Sequence, residues 1–296
     1  MTSDINQRIY KAQCIGNVEP IEYMIPYPSM RSLIEGQNIK YSNQILIEEN
    51  NINTLQYYTL IQQTANWLTE KGIKPKERLI LPKLKSPQSE ILLHSLWQIG
   101  ATAVLSREDL SKKYKSKFKI KTMQINNLFK EIKAYSKIFY PKHKPLLNEE
   151  ALITFEKKHG IRLSHYNLLV NTNGLTKLIN QKGHIRYSCD MDFFKISWVI
   201  FKAILPIYCG YNIVKDAPEL TIGKSNTNFN LRFDLINLKK FKKNDIAICP
   251  ENSGSISIGN KTIHLTKFLI KKNLIQLQGH SVMMGYLDQN INNDSF

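Results

Sequence analysis

Closely spaced cysteines are missing from this chain of 296 residues. Its four cysteines are far apart and form no C-x-x-C pair; they are Cys14, Cys189, Cys209 and Cys249. A disulfide framework or a structural zinc site would need a denser and more regular pattern of cysteines. We therefore expect reduced thiols, mostly buried, in an intracellular compartment.

Long apolar runs are missing as well. The most apolar segment, residues 196–207, contains Lys202 and Pro206 and is shorter than the ~20 residues that span a bilayer. The first residues are polar, with Asp4 and Arg8 where a secretory signal would need an apolar core. These features predict a soluble protein without a membrane span.

Acidic residues are scarce beside basic ones. The chain has 24 Asp and Glu against 41 Lys and Arg, which gives a net charge of +17. Many of the lysines are clustered: Lys112, Lys113, Lys115, Lys117, Lys119, Lys121, Lys130, Lys133, Lys137, Lys142 and Lys144. Such a cluster could meet nucleic acid, an acidic carrier protein or an anionic membrane surface.

The composition offers a simpler explanation of this charge. The whole chain is rich in Ile, Lys, Asn and Tyr, the residues that an A+T-rich genome favours. No recognised nucleic-acid-binding motif accompanies the lysines, so nucleic acid is not a predicted partner. The sequence leaves open whether the lysine cluster binds a protein partner. The same bias suggests a plastid stroma as the compartment, with the cytoplasm as the alternative.

Apolar periodicity predicts alternating strands and helices in the first third of the chain. Thr54 is expected to cap the first of these helices, and Gly72 and Gly100 are expected to end the two helices. The predicted order is strand 45–47, helix 54–71, strand 79–81, helix 87–99 and strand 101–105. This alternation indicates βαβ crossovers, an α/β fold and a mostly parallel sheet with helices on both faces.

The most informative stretch is residues 150–169, where a motif frame surrounds a shortened centre. Residues 151–155 read A-L-I-T-F and residues 160–167 read G-I-R-L-S-H-Y-N. The stretch resembles the phosphate-binding core of the adenylate-forming (acyl-CoA synthetase) superfamily, A-L-I-x-[YF]-T-S-G-T-T-G-x-P-K-G-V-x-x-S-H-x-N. Between Phe155 and Gly160 that family carries nine residues, whereas this chain has four, a loss of five.

The lost residues are those that would cradle a triphosphate. Glycine and hydroxyl residues in such a loop present backbone N–H groups and side-chain donors to phosphate oxygens. The resemblance places a degraded ATP phosphate loop at Thr154, Lys157, Lys158, His159 and Gly160. Glu156 would repel phosphate there, although the two lysines and His159 could supply positive charge. The alternative is a polar turn between a buried strand, 151–155, and a helix that begins near Ser164.

Further blocks of the same resemblance follow in order along the chain. Residues 54–55, 67–79, 86–90 and 100–105 match early family segments, residues 210–214 match G-x-x-[VI]-V, and residues 279–287 are close to G-x-x-V-M-x-G-Y. Residues 253–259 are similar to a later glycine turn of the family. They could also be mistaken for a phosphate loop, but no Lys-Ser/Thr pair follows them.

Residues 192–198, D-F-F-K-I-S-W, resemble the family segment P-L-F-H-I-S-G. The resemblance marks Lys195, Ser197 and Trp198 as acyl-substrate candidates. Lys195 stands where the family has a histidine, and its ammonium could hold an acidic substrate, whereas Trp198 stands in place of a glycine and would crowd the pocket. The alternative is a core helix whose lysine reaches water at one end.

Two family motifs have no counterpart. The short segment between Val214 and Ser253 contains no adenine-packing Y-G-x-T-E motif. In the family, a T-G-D motif whose aspartate binds ribose, a hinge and a lid lysine follow the position that Phe296 occupies here. We therefore expect the C-terminal lid domain to be absent. No catalytic residue and no metal ligand is identified.

The resemblance implies the large N-terminal α/β domain of an adenylate-forming enzyme, with layered, mostly parallel sheets. Residues 1–243 would form a reduced α/β domain, and residues 244–296 its β-rich end. In the family, ATP, Mg²⁺ and CoA convert a carboxylic acid through an acyl-adenylate into a thioester. The expected function is 2-succinylbenzoate-CoA ligation in menaquinone or phylloquinone synthesis, with a fatty acyl-CoA or acyl-carrier ligase as the next choice. The competing expectation is a catalytically inactive binding or scaffold protein derived from a ligase.

Overall fold

The computed structural model describes residues 2–155, 159–181, 183–272 and 274–296. Its α-helices are α1 (Thr2–Gln13), α2 (Met30–Tyr41), α3 (Thr54–Glu70), α4 (Gln88–Ile99), α5 (Lys112–Lys117), α6 (Leu128–Ile132), α7 (His165–Ile179), α8 (Leu205–Cys209) and α9 (Gln289–Ser295). A π-helix, Trp198–Ile204, leads directly into α8. Two short 3-10 helices span Leu235–Lys240 and Pro250–Asn252.

The strands form two large sheets and one hairpin. They are β1 (Ile45–Ile47), β2 (Ile52–Asn53), β3 (Arg78–Ile80), β4 (Thr102–Leu105), β5 (Ile120–Lys121), β6 (Glu150–Thr154), β7 (Ile161–Ser164), β8 (Arg186–Cys189), β9 (Asn212–Ile213), β10 (Leu220–Gly223), β11 (Phe229–Arg232), β12 (Asp245–Cys249), β13 (Gly254–Ile258), β14 (Lys261–Thr262), β15 (Thr266–Lys271) and β16 (Leu274–Gly279). The separate hairpin is β15–β16.

The smaller sheet has the order β5-β3-β4-β6-β7. Its first four strands are parallel, and β7 runs antiparallel to β6 at the edge. The central strands are apolar runs whose side chains are almost fully buried, as parallel strands covered on both faces require. The prediction that segments 79–81, 101–105 and 151–155 share one parallel sheet is confirmed.

The larger sheet has the order β14-β13-β12-β11-β10-β8-β9-β1-β2. Its central strands are parallel, and only β2, β13 and β14 pair antiparallel to their neighbours. The predicted crossover from β1 into the sheet of β3 is wrong, because Ile47 of β1 pairs with Ile213 of β9. The boundary predicted after residue 243 falls between β11 and β12, two paired strands of this sheet, and stays a prediction.

Local side-chain hydrogen bonds set the helix starts. Asn53, rather than Thr54 as predicted, caps α3, because its carboxamide oxygen accepts from Gln56 N at 2.8 Å while Gln56 Oε1 accepts from Asn53 N at 2.9 Å. Such a reciprocal pair satisfies two of the donors that a helix start leaves open. Ser164 and Asn167 form the same arrangement at the start of α7, which confirms the predicted start there. The residues before it form β7, which pairs antiparallel with β6. Residues 156–158 of the predicted polar turn lie outside the described residues.

Helix α7 lies between the two sheets and is bound to both. It packs on β6 and β7 of the smaller sheet and on β13 of the larger one. Asn171 Nδ2 donates to the carbonyl oxygens of Asn252 at 2.9 Å and Ser255 at 2.8 Å. In the described part of the chain no helix is long and apolar enough to cross a membrane.

Glu150 joins three strands of the smaller sheet through two arginines. Its carboxylate accepts hydrogen bonds from Arg78 Nε at 2.7 Å and from Arg162 Nε at 2.6 Å. Burial by itself would raise the pKa of Glu150, but the hydrogen bonds and charges of the two guanidinium groups outweigh burial, so its pKa is lowered. The ionised carboxylate therefore stabilises the folded state.

We expect Glu150→Gln to lower the free energy of unfolding at pH 7 by about 3 kcal/mol, because two largely buried guanidinium groups lose their counter-charge. The pKa of Glu150 is lower in the folded state than in the unfolded state. The difference in free energy of unfolding between parent and variant is therefore complete above the ordinary pKa of glutamate and is lost as pH falls through the folded pKa. Urea unfolding across this pH range measures it. The exposed Glu131→Gln serves as a control, and an equal loss in both variants would contradict the role given to Glu150.

Candidate functional site

Residues that follow parallel strands of the two sheets meet at the carboxyl ends of those strands, the edge at which α/β proteins bind ligands. On the smaller sheet β4 and β6 end side by side, with Leu105 paired to Thr154. Arg107 follows β4 and forms an ion pair with Asp192, which follows β8 of the larger sheet. The guanidinium carbon of Arg107 also lies 5.1 Å from the ring centroid of Phe194. The end of β6 and segment 192–198 therefore lie at the same edge.

Thr154 is the last residue of β6 and is completely buried. Its hydroxyl oxygen has no hydrogen-bond partner within the described residues. Lys157 and Lys158, which the sequence places in the same loop, lie outside the described residues, as does Glu156. His159 is exposed, and its ring meets the ring of Tyr286 edge-on at 6.0 Å.

The segment 284–287 is bound along β7, directly after the shortened loop. The backbone N–H of Leu287 donates to the carbonyl of Gly160 at 2.7 Å, and the N–H of Met284 donates to the carbonyl of Arg162 at 2.8 Å. A Cβ atom at Gly160 would lie 2.8 Å from the ring of Phe155, so that ring covers the glycine. Two blocks recognised separately in the sequence, 150–169 and 279–287, are thus neighbours.

The acyl-substrate candidates lie at the start of the π-helix. Lys195 is partly exposed, and its backbone N–H donates to the carbonyl of Asp192 at 3.0 Å. Ser197 is buried, and its hydroxyl has no partner in the described part of the chain. Trp198 is buried against Phe193, with ring centroids 4.7 Å apart. Its indole therefore belongs to the core, and a role for it at an acyl pocket stays a prediction.

The described residues do not fit a bound triphosphate. The Phe155 ring covers Gly160, the glycine that would have to approach phosphate closely. Among the described residues no group of three or more His, Cys, Asp or Glu could hold a metal ion. We therefore derive no catalytic step through ATP, Mg²⁺ or CoA.

Within the segment that would carry an adenine-packing motif, a tight link joins β10 and β11. Parallel neighbours usually need a dozen or more connecting residues, whereas here residues 224–228 suffice because β11 begins where β10 ends, with Ile222 opposite Phe229. Thr221 and Asn228 close this link, since the backbone N–H of each donates to the side chain of the other at 2.7 and 2.9 Å.

The sequence interpretation missed Arg107 as a residue of this edge. Its position two residues after a predicted parallel strand was the available signal, because such positions lie at the ligand-binding edge. The segment 253–259, similar to a glycine turn or a phosphate loop, instead supplies the buried strand β13. Its glycine at 254 has φ +133°, which a residue with a side chain rarely adopts.

Neither protein-family models nor curated protein sequences match the chain. Solved structures do match. McyG A-PCP in complex with phenylalanyl-adenylate aligns with 93% of this chain and 72% of its own, at a TM-score of 0.72 and 14% identity. The O-succinylbenzoate coenzyme A synthetase of Bacillus subtilis aligns with 89% of this chain and 76% of its own, at a TM-score of 0.71 and 12% identity. The N-terminal domain of FACL13 from Mycobacterium tuberculosis aligns with 90% of this chain and 94% of its own, at a TM-score of 0.68 and 11% identity. The chain therefore has the fold of the N-terminal domain of the adenylate-forming enzymes, as its sequence motifs predicted.

Proposed function

We propose that this chain binds a small carboxylic acid at the edge formed by β4, β6 and segment 192–198, and that it does not activate the acid with ATP unaided. What supports the absence of unaided activation is that the Phe155 ring covers Gly160, the glycine that the resemblance would bring close to phosphate. Close backbone approach at such a glycine is one of the contacts that a phosphate cradle makes. Loss of these contacts removes interactions that would bind ATP and stabilise developing charge.

Positive charge at this edge supports acid binding. Arg107 is 62% exposed, so its ion pair with Asp192 contributes little, roughly 0–1 kcal/mol, and a substrate carboxylate could take the place of Asp192. The face of the Phe194 ring lies under the same guanidinium and offers an apolar surface beside it. Lys195, from the same segment, is the second candidate cation. A carboxylate next to an apolar ring is the chemistry that these side chains would recognise.

Within this class we propose 2-succinylbenzoate, a dicarboxylate of menaquinone and phylloquinone synthesis in a plastid, as the acid. Support comes from residues 194–197, which resemble that subfamily, and from the fold shared with the Bacillus subtilis synthetase. A fatty acid is the next choice, since a long-chain-fatty-acid-CoA ligase from Archaeoglobus fulgidus has the same fold, at a TM-score of 0.68 and 14% identity. A protein partner that supplies ATP-binding residues would be compatible with the same acid site.

A retained ATP-dependent CoA ligase is the second candidate function, and one observation favours it. The buried hydroxyl of Thr154 lacks a partner in the described part, and an unsatisfied buried hydroxyl costs roughly 1–3 kcal/mol. A bound phosphate oxygen would offset this cost by accepting its hydrogen. Lys157, Lys158 and His159 would then hold the triphosphate, Mg²⁺ would offset its negative charge, and CoA would be the acyl acceptor.

Thr154→Val separates these two candidates. If the hydroxyl has no ligand, its removal should raise the free energy of unfolding by about 1 kcal/mol, because an unsatisfied polar group is replaced by an isosteric methyl group. The control is Thr172→Val, also completely buried, whose hydroxyl donates to the Leu168 carbonyl at 2.8 Å and whose loss should be destabilising. Chemical unfolding measures both. An ATP-induced rise in Tm that Thr154→Val abolishes would instead support the ligase.

The isolated chain should show no acid-dependent exchange of pyrophosphate into ATP, because the phosphate contacts are degraded and the adenine motif is missing. The assay uses 2-succinylbenzoate and a panel of fatty acids, with Mg²⁺ present. Robust exchange with any of these acids would overturn the proposal that the unaided chain is inactive.

Lys195→Ala should weaken the binding of 2-succinylbenzoate by about 1 kcal/mol and leave the binding of its uncharged diamide nearly unchanged, because the ammonium attracts carboxylates. Calorimetry at low ionic strength gives both affinities, and added salt should reduce the difference. Lys137→Ala, which removes an exposed charge elsewhere, is the control. Equal effects of Lys195→Ala on the two ligands, or no binding by the parent, would refute acid recognition at this edge.

A further inference from the structure

A pocket of about 230 Å³ lies apart from the acid edge, and Tyr27 is part of its lining. Its walls come from the C-terminal halves of α2 and α7 and from the end of α8. Helices α7 and α8 lead into the amino ends of β8 and β9, whereas Asp192 and Phe194 follow the carboxyl end of β8. No family motif falls on this pocket, and it is independent of the acid site proposed above.

Two ammonium groups at this pocket are balanced by no acid. Lys40 Nζ of α2 lies 4.8 Å from the ring centroid of Tyr41. Lys177 Nζ of α7 lies 5.2 Å from the ring centroid of Tyr23 and donates to its hydroxyl at 2.7 Å. The pocket lining contains no Asp or Glu, and within the described ranges neither lysine forms an ion pair. Aromatic rings position these ammonium groups without neutralising them.

Tyrosine rings form much of the pocket wall. Tyr27 and Tyr208 meet edge to face, with centroids 5.8 Å apart, and Tyr41 lines the same space. Burial raises the pKa of Tyr208 to about 12 and also raises that of Tyr27, so both phenols are neutral near pH 7 and add no negative charge. Tyr208 accepts from Asn173 Nδ2 at 2.7 Å, which leaves its own O–H to donate to a bound group.

We propose that this pocket binds a small organic anion that carries an aromatic ring. The anionic group would lie between Lys40 and Lys177, and the ring would pack against Tyr27 and Tyr208. The volume is below the ~300–1,000 Å³ of pockets for drug-sized ligands, so it accommodates about one ring with one anionic group. A carboxylate and a phosphate would satisfy the ammonium groups equally, and the choice of probe distinguishes them.

Calorimetric titration of the full chain with four probes tests the ligand class. Benzoate and phenyl phosphate carry both ring and charge, benzamide lacks the charge, and inorganic phosphate lacks the ring. We expect binding by one or both of the first two, weakened by added salt, and at least tenfold weaker binding by the other two. The proposal is overturned if neither aromatic anion binds. It is also overturned if benzamide binds as tightly as benzoate, or inorganic phosphate as tightly as phenyl phosphate.

Variants locate the bound anion. Lys40→Gln/Lys177→Gln should weaken binding of the better aromatic anion at least tenfold. The control Lys133→Gln/Lys137→Gln removes the same charge from exposed positions outside the pocket and should leave affinity unchanged. A loss that is equal in the two double variants would show that net charge alone attracts the anion and would overturn the site.

Gly36→Ala tests the aromatic wall without changing charge. A Cβ atom at Gly36 would lie 2.9 Å from Cε1 of Tyr27, so the ring must move, while alanine strengthens the helical tendency of α2 and protects the fold. Binding of the aromatic anion should fall several-fold with no loss of Tm. Unchanged affinity would show that Tyr27 does not hold the ring and would overturn the proposed binding mode.

Discussion

The buried amides of α7 hold the two sheets and the C-terminal segment together. Asn167 Nδ2 donates to the carbonyls of His280 at 2.9 Å and Val282 at 3.0 Å. One turn later, Asn171 donates to one carbonyl just before β13 and to one within it. Gly174 completes the contact, because a Cβ atom there would lie 2.4 Å from Ile263. Buried carbonyls deprived of these donors would carry the full cost of desolvation, so the position of segment 280–287 depends on this helix face.

That constraint explains the shape of the acid edge. With segment 280–287 held by α7, residues 284–287 lie along β7, and the N–H of Leu287 pairs with the carbonyl at the end of the shortened loop. Thr154 pairs with Ile161, so β6 and β7 form a hairpin. In the family pattern, a longer glycine-rich loop could extend around phosphate oxygens. The closed hairpin leaves Arg107, Asp192 and Phe194 as the polar and aromatic groups that the structure brings together at this edge. These are the groups that the proposed acid site would use.

Several elements were predictable because their signals are local. Runs of buried apolar residues predicted β3, β4 and β6, and Ser164 with Asn167 marks the start of α7. The cap of α3 was misplaced by one residue, since Asn53 and Thr54 are both good capping residues and only the backbone conformation distinguishes them. The assignment of β1 to the wrong sheet has a different cause. Its partner Ile213 lies far along the chain, and no local pattern indicates which strand edge a short apolar segment will join.

The amino-acid order by itself determined the fold, because motif spacing and loop length can be read without any contact. The five residues that the resemblance finds missing between Phe155 and Gly160 predict an incomplete phosphate cradle in the same way. Only the tertiary structure decided which charges face each other. Arg107 and Asp192 are brought together by two different sheets, and Lys40 and Lys177 by two helices far apart in the chain. Such pairings depend on the angles and distances between packed elements, which arise from the whole core and from no single segment.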